Sequence, residues 1–243
     1  MKPPDAIWGV VPDVPRWVEA RGILLAGCGQ VFGDRSGWII RNDRPHGTLL
    51  VIVGRPAPEL IREAFFDRAK REILCAVEEQ AHVAGALGET VAERVLLYQL
   101  PDRSKLPAVS ERVRLLSPAD SLGHIEPGLR SEIEDAAKSG WRVHAAFHQG
   151  SAASFAYACW LTEGQFDISI DTVPEAQRRG LARLAATSLI SDQLSQGRQP
   201  VWGALHSNLA SQALAVSLGF VKVDEIVSLK SSVAGSSVPS LDP

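Results

Sequence analysis

The sequence predicts an α/β (α+β) protein in which a mixed, mostly antiparallel sheet is flanked by helices, with a smaller α/β region before it. Three observations predict it. Hydrophobic residues make up 45% of the 243 residues and charged residues 22%, the balance of a globular chain with a sizeable core. Three apolar runs, 142–147, 154–161 and 166–173, are separated only by Gln149-Gly150 and Glu163-Gly164, which is the spacing of an antiparallel meander. After Pro174 the period lengthens, and Ala182, Ala185, Ala186, Leu189, Ile190 and Leu194 mark one face of a long helix that stops at Gly197.

The remaining elements follow in order. A short strand is expected over 112–116. Leu129, Ile133, Ala136 and Ala137 then give a helix face ending at Gly140. Beyond the long helix, 200–205 reads as a strand. Asn208 can cap a helix with Ala210, Ala213, Leu214 and Leu218 on one face and Gly219 as its stop, and 220–229 is a last strand. Before residue 101 part of this order recurs: strand 48–53, a break at Arg55-Pro56, a helix face of Leu60, Ile61, Ala64 and Phe65, strand 73–77, short helix 80–88 and strand 91–100. Leu87-Gly88 echoes Leu218-Gly219, as in a degenerate internal copy. The polar stretch 101–107, proline at both ends, divides region 1–104 from region 105–230. The small, polar tail 231–243 is expected to be disordered.

Composition narrows the function. A net charge of -3 offers no basic field for a nucleic-acid backbone, so no such partner is expected. The odd, scattered cysteines Cys28, Cys75 and Cys159 show no metal or disulfide spacing, which fits a reducing cytoplasm and no metal. The first residues lack the apolar core of a signal peptide, and no apolar run is long enough to span a membrane. A homodimer is compatible with these features.

The segment that carries chemistry is 172–182. It lies where a strand meets a helix, so backbone N–H groups there have no intrahelical partner. Those donors and the helix dipole suit a pyrophosphate. Gly180 removes a Cβ from the approach, Ala182 is small, and Arg178, Arg179 and Arg183 add positive charge.

The pattern Gln177-x-x-Gly180-x-Ala182 resembles the acyl-CoA loop of the GNAT superfamily, Q/R-x-x-G-x-G/A. The segment 208–220 is similar to a second GNAT element, an Asn followed by a small residue and a helix ending in Leu-Gly-Phe. The Trp-containing run 200–205 before it fits as well. The resemblance covers roughly 112–229. It implies a GNAT fold and an N-acetyltransferase that carries an acetyl group from acetyl-CoA to an amine of a small molecule or peptide. Ile170, Asp171 and Thr172 would meet the pantetheine arm with backbone groups. Gln177, Arg178, Arg179, Gly180, Leu181 and Ala182 would hold the pyrophosphate, and Asn208 and Ser211 would reach the arm from the other side. Asn208 reads equally as a plain helix cap.

Two features of the resemblance are missing. Many members place a proton-donating Tyr where this chain has Ala215, and some place a basic Glu where it has Phe166. The remaining candidates are Asp171 and His206. Asp167, Ser169 and Asp171 share a strand face, which reads either as a base or as a solvated surface. His206 lies two residues before Asn208, and a loop histidine is its other reading. His144 and His148 either border the acceptor or sit on the surface, and Cys159 reads as packing. No cysteine lies in the two motifs and no Ser-His-Asp order is evident around them, so direct attack by the amine is expected. The region before 101 has Pro56 and Pro58 at its strand-to-helix junction and no loop motif, so it is expected to lack a cofactor site of its own and to shape the acceptor cleft. Two other functions remain open: transfer of a different acyl group, and acyl-CoA binding without turnover as a sensor or scaffold.

Overall fold

The computed structural model describes residues 4–34, 36–44, 47–65, 71–88 and 90–231. The predicted disordered tail lies outside the described residues, apart from Ser231. The helices and strands run α1 (Asp5–Trp8), α2 (Val18–Ala26), β1 (Gln30–Asp34), β2 (Gly37–Arg44), β3 (Gly47–Gly54), α3 (Pro58–Phe65), β4 (Arg71–Ala76), α4 (Gln80–Leu87), β5 (Thr90–Gln99), β6 (Val113–Leu115), α5 (Pro127–Lys138), β7 (His144–His148), β8 (Ser151–Leu161), β9 (Gln165–Thr172), α6 (Leu181–Ser195), β10 (Gln199–Leu205), α7 (Leu209–Ser217) and β11 (Val221–Ser231). The fold is the expected mixture of helices and a mostly antiparallel sheet.

The chain forms two compact units, the first Met1–Val11, Ala26–Val95 and Glu225–Pro243, the second Pro12–Leu25 and Leu96–Asp224. The division differs from a single cut near residue 104. The chain passes between units inside β5 and again inside β11, and residues 12–25 group with the second unit.

In the first unit the strand order is β1, β2, β3, β4, β11. Only β3 and β4 are parallel, because α3 carries the chain back between them. Its core gathers Ile39, Leu50, Ile52, Ile61, Ile73, Cys75, Val83, Val227 and Leu229. No sequence expectation covers residues 4–44, where the structure holds α1, α2, β1 and β2. The pairing of β1 with β2 and of β2 with β3 is a cross-strand property that local periodicity does not register.

In the second unit β10, β9, β8, β7 and β6 are neighbours in that order. The meander β7–β8–β9 is antiparallel and β10 pairs with β9 in parallel. Tyr157, Phe155, Phe166 and Trp202 are its largest fully buried side chains. α6 lies over β7, β8 and β9 on a floor of small residues, and Ala146, Ala156, Ala185 and Ala186 are all fully buried. The Glu126 carboxylate caps α5 by accepting from the N–H groups of Gly128 and Leu129, which supplies partners the helix start lacks.

Residues 12–25 are tied to this unit by Asp13. Its carboxylate accepts from the Thr162 hydroxyl at 2.6 Å, the Gly164 N–H at 2.8 Å and the Gln165 amide at 3.1 Å. Thr162 and Gln165 are buried. On α2, a Cβ at Gly22 would fall 2.6 Å from the Trp160 Cβ, so only glycine allows that approach. Asp13→Ala leaves buried donors of the β8–β9 turn short of acceptors and is expected to lower stability by roughly 1–3 kcal/mol in denaturant unfolding. Asp13→Asn, which keeps one acceptor oxygen, should lose less.

Candidate active site

The β9–α6 connection is an unusual piece of backbone. After Thr172 a single 3₁₀ turn, Pro174–Ala176, leads to Gln177 in an extended conformation. Arg178 and Gly180 then both adopt positive φ, 57° and 76°. A non-glycine residue in that region is uncommon, and here it shares the turn with a positive-φ glycine. α6 begins at Leu181 with no side-chain cap. Among the described residues, no hydrogen bond is made by the N–H groups of residues 178–183, and the next donor to find a partner is Leu184, to the Gly180 carbonyl at 3.2 Å. A Cβ built on Gly180 would meet nothing within 4 Å. Successive free N–H groups around positive-φ residues at a helix start form a concave anion site. Arg178, Arg179 and Arg183 are exposed beside it, and among the described residues none has a carboxylate partner. The Leu181 side chain is buried in the core, so only its backbone faces this turn. Gln177 donates its side-chain amide to the Thr172 carbonyl at 3.4 Å, closing the loop on the strand end.

β9 and β10 pair only from Gln199 opposite Gln165 to Val201 opposite Asp167. Both strands continue, β9 to Thr172 and β10 to Leu205. Their ladder therefore ends part-way, and residues 168–172 have no β10 partner. Ile170, Asp171 and Thr172 occupy this unpaired stretch and lead into the loop.

On the β10 side, Asn208 caps α7 by accepting from the Ser211 N–H at 3.0 Å. The Ser211 hydroxyl accepts from the indole N–H of buried Trp202 at 2.9 Å, which leaves its own proton available to donate. Trp202 meets Phe220 edge-on, with ring centres 5.5 Å apart. The Trp of β10 thus fixes the start of α7. His206 is exposed in the turn after β10, and its carbonyl accepts from the Gln212 side chain at 2.9 Å.

The two faces of the meander differ. His144 opposes Ala156, and its Nδ1 lies 2.9 Å from the Ser188 hydroxyl of α6. It is buried, and burial lowers its pKa against the opposing pull of Asp192. It therefore belongs under α6, not on the surface. Phe155 opposes Asp171 and Tyr157 opposes Ser169, which puts these four on the other face. Asp171 is half-buried there. Burial first, and then the charge of Glu132 on α5, push its carboxyl up to about 6. Asp167 shares the strand parity. Cys159 is half-buried nearby. Phe166 and Ala215, the positions where the resemblance would place a base and an acid, are fully buried. Among the described residues, no group of three or more His, Cys, Asp or Glu could hold a metal ion, and no helix is long and apolar enough to cross a membrane.

A helix-start anion cradle thus lies beside a parallel strand pair that parts half-way. Residues 133–228 match the GNAT acetyltransferase family model. No curated protein matches the chain. Solved structures share the fold at low identity. A GCN5-related N-acetyltransferase-like protein from Streptococcus suis 89/1591 is 16% identical, with 93% of this chain and 96% of that chain covered and a TM-score of 0.66. A GCN5-related N-acetyltransferase from Kribbella flavida is 14% identical over 90% and 94%, with a TM-score of 0.64. A tandem GNAT protein from the clavulanic acid biosynthesis pathway is 16% identical over 94% and 90%, with a TM-score of 0.57.

Glu132 and Tyr157 carried no functional signal in the sequence. Only packing of α5 over β8 brings them to the face of Asp171.

Proposed function

We propose that this protein transfers an acetyl group from acetyl-CoA to an amine by direct attack. The observation that carries this reading is the run of free N–H groups through Arg178 and Gly180 at the start of α6, next to the unpaired end of β9. The 178–183 backbone and the three arginines hold the pyrophosphate, while residues 170–172, Asn208 and Ser211 line the pantetheine arm. The amine nitrogen bonds to the thioester carbonyl carbon, the carbon–sulfur bond breaks, and the thiolate leaves. Backbone N–H groups at the end of β9 steady the developing oxyanion.

Asp171 is the base in this reading. With its pKa at about 6 it is charged at neutral pH yet basic enough to take an ammonium proton. His206 is the second candidate, at the end of β10. Ala215 donates nothing, and a CoA thiol is acidic enough to depart as thiolate near neutral pH.

The first unit takes no cofactor in this reading. At its β3–α3 junction the Arg55 N–H is already spent on the Ser36 carbonyl at 2.8 Å, and Pro56 and Pro58 have none to give. Calorimetry with CoA should therefore give one site per chain, and thiol release should rise with an amine panel. Two sites per chain would assign the first unit a cradle it is not proposed to have. Binding without turnover on any amine would favour the sensor reading.

A further inference from the structure

The face that carries Asp171 also holds side chains for which acetyl transfer itself has no use. Tyr157 is 1% exposed, and its hydroxyl donates to Glu132 Oε1 at 2.7 Å. Burial foremost, then Cys159, pushes the phenol above its usual range; the Ser169 hydroxyl opposes this, and Glu132 adds a smaller push upward. Tyr157 is thus a fixed, neutral donor that aims an exposed carboxylate. Trp141 stacks on the Tyr157 ring at 5.8 Å and 20° and meets Trp160 edge-on at 6.4 Å.

On this face Arg114, at the far end of the row that runs through Ala145 and Phe155 to Asp171, is spent on Asp120. Glu132 reaches Asp171 from α5, Asp167 shares its strand, and β8 opposite offers the uncharged Phe155 and Tyr157. Among the described residues, neither Glu132 nor Asp171 is in an ion pair. Two uncompensated carboxylates against aromatic rings favour an organic cation. A catalytic base alone would need only one of them.

We propose that Glu132, aimed by Tyr157, determines acceptor specificity by taking a second positive charge, so that the acceptor is a diamine or other polycationic amine. The inference rests on the acetyl-transfer reading above. Glu132 binds the distal ammonium while Asp171 serves the nitrogen that attacks.

The test compares 1,4-diaminobutane with butylamine as acceptors of acetyl-CoA, following thiol release. The native protein should prefer the diamine in kcat/KM. Glu132→Gln should shrink that preference about five- to tenfold, mostly through a higher KM for the diamine, since a partly exposed ion pair contributes about 1 kcal/mol. Tyr157→Phe should act in the same direction and less, because Glu132 keeps its charge and loses its aim. Removing the Glu132 charge also lets Asp171 ionise more easily, so the acidic limb of the pH–rate profile should move to lower pH in Glu132→Gln. A preference that Glu132→Gln leaves intact, or a native protein that prefers butylamine, would overturn the proposal while acetyl transfer stands. Absence of both CoA binding and thiol release with every amine would remove the acetyl-transfer reading and this inference together.

Discussion

Gly180→Glu is expected to weaken CoA binding by at least about a hundredfold, roughly 3 kcal/mol, in calorimetry. Two effects act together. The carboxylate enters the open space in front of Gly180 and repels the pyrophosphate at short range. It also cancels part of the field of Arg178, Arg179 and Arg183. The fold should survive, because a Cβ there meets no atom within 4 Å. The cost to stability is the left-handed backbone at φ 76°, about 1 kcal/mol for a residue with a Cβ. Gly180→Ala carries the same backbone cost without the charge, so the difference in affinity between the two variants measures electrostatics. An unchanged affinity in Gly180→Glu would move the phosphates elsewhere.

The second large effect is expected at Asp171. Asp171→Asn should lower kcat by about 10²- to 10⁴-fold, the usual contribution of a positioned base. The native pH–rate profile should fall on its acidic side near pH 6, where the carboxyl becomes protonated. That limb should vanish in the variant. Stability should change the other way. The folded pKa lies above the unfolded one, near 3.9, so the native state binds the proton more tightly. Stability is therefore lost as pH rises from about 4 to about 6, and at neutral pH the buried charge costs on the order of 3 kcal/mol. Asp171→Asn should then melt higher than the native protein at neutral pH while being nearly inactive. An inactive variant that also melts lower would point to a structural role. An acidic limb unmoved in Asp171→Asn would pass the role to His206, to a water chain or to the amine itself, and His206→Gln separates the first of these.

These two residues differ in how they were legible. Gly180 could be read from local sequence, because a strand end, a glycine and a helix start are neighbours along the chain and the need for positive φ is a one-residue property. Arg178 could be read as a charge only. Its positive φ appears once the 3₁₀ turn at Pro174–Ala176 and the β9 end are both in place. Asp171 could be placed on a strand face by alternation, where a solvated or salt-bridged surface is the favoured reading over a base. Burial and the Glu132 charge are what separate it from an ordinary surface carboxylate, and both come from α5. His144 shows the reverse case, since its strand position was right and its surroundings were not. Alternation gives two faces without saying which one α6 covers.

The sequence by itself determined the order of elements from residue 112 onward, the meander, the long helix after Pro174 and the motif Gln177–Gly180–Ala182, because each rests on contacts within a few residues. It also determined that Asn208 can cap α7. Tertiary structure alone decided the rest. It grouped residues 12–25 with the second unit through Asp13. It placed β1 and β2 beside β3 and ended the β9–β10 ladder at Val201. It also set Glu132 on Tyr157 across a sequence separation of 25. In each case the partners are far apart in the chain, and their free energy of contact depends on burial and register that no local pattern carries.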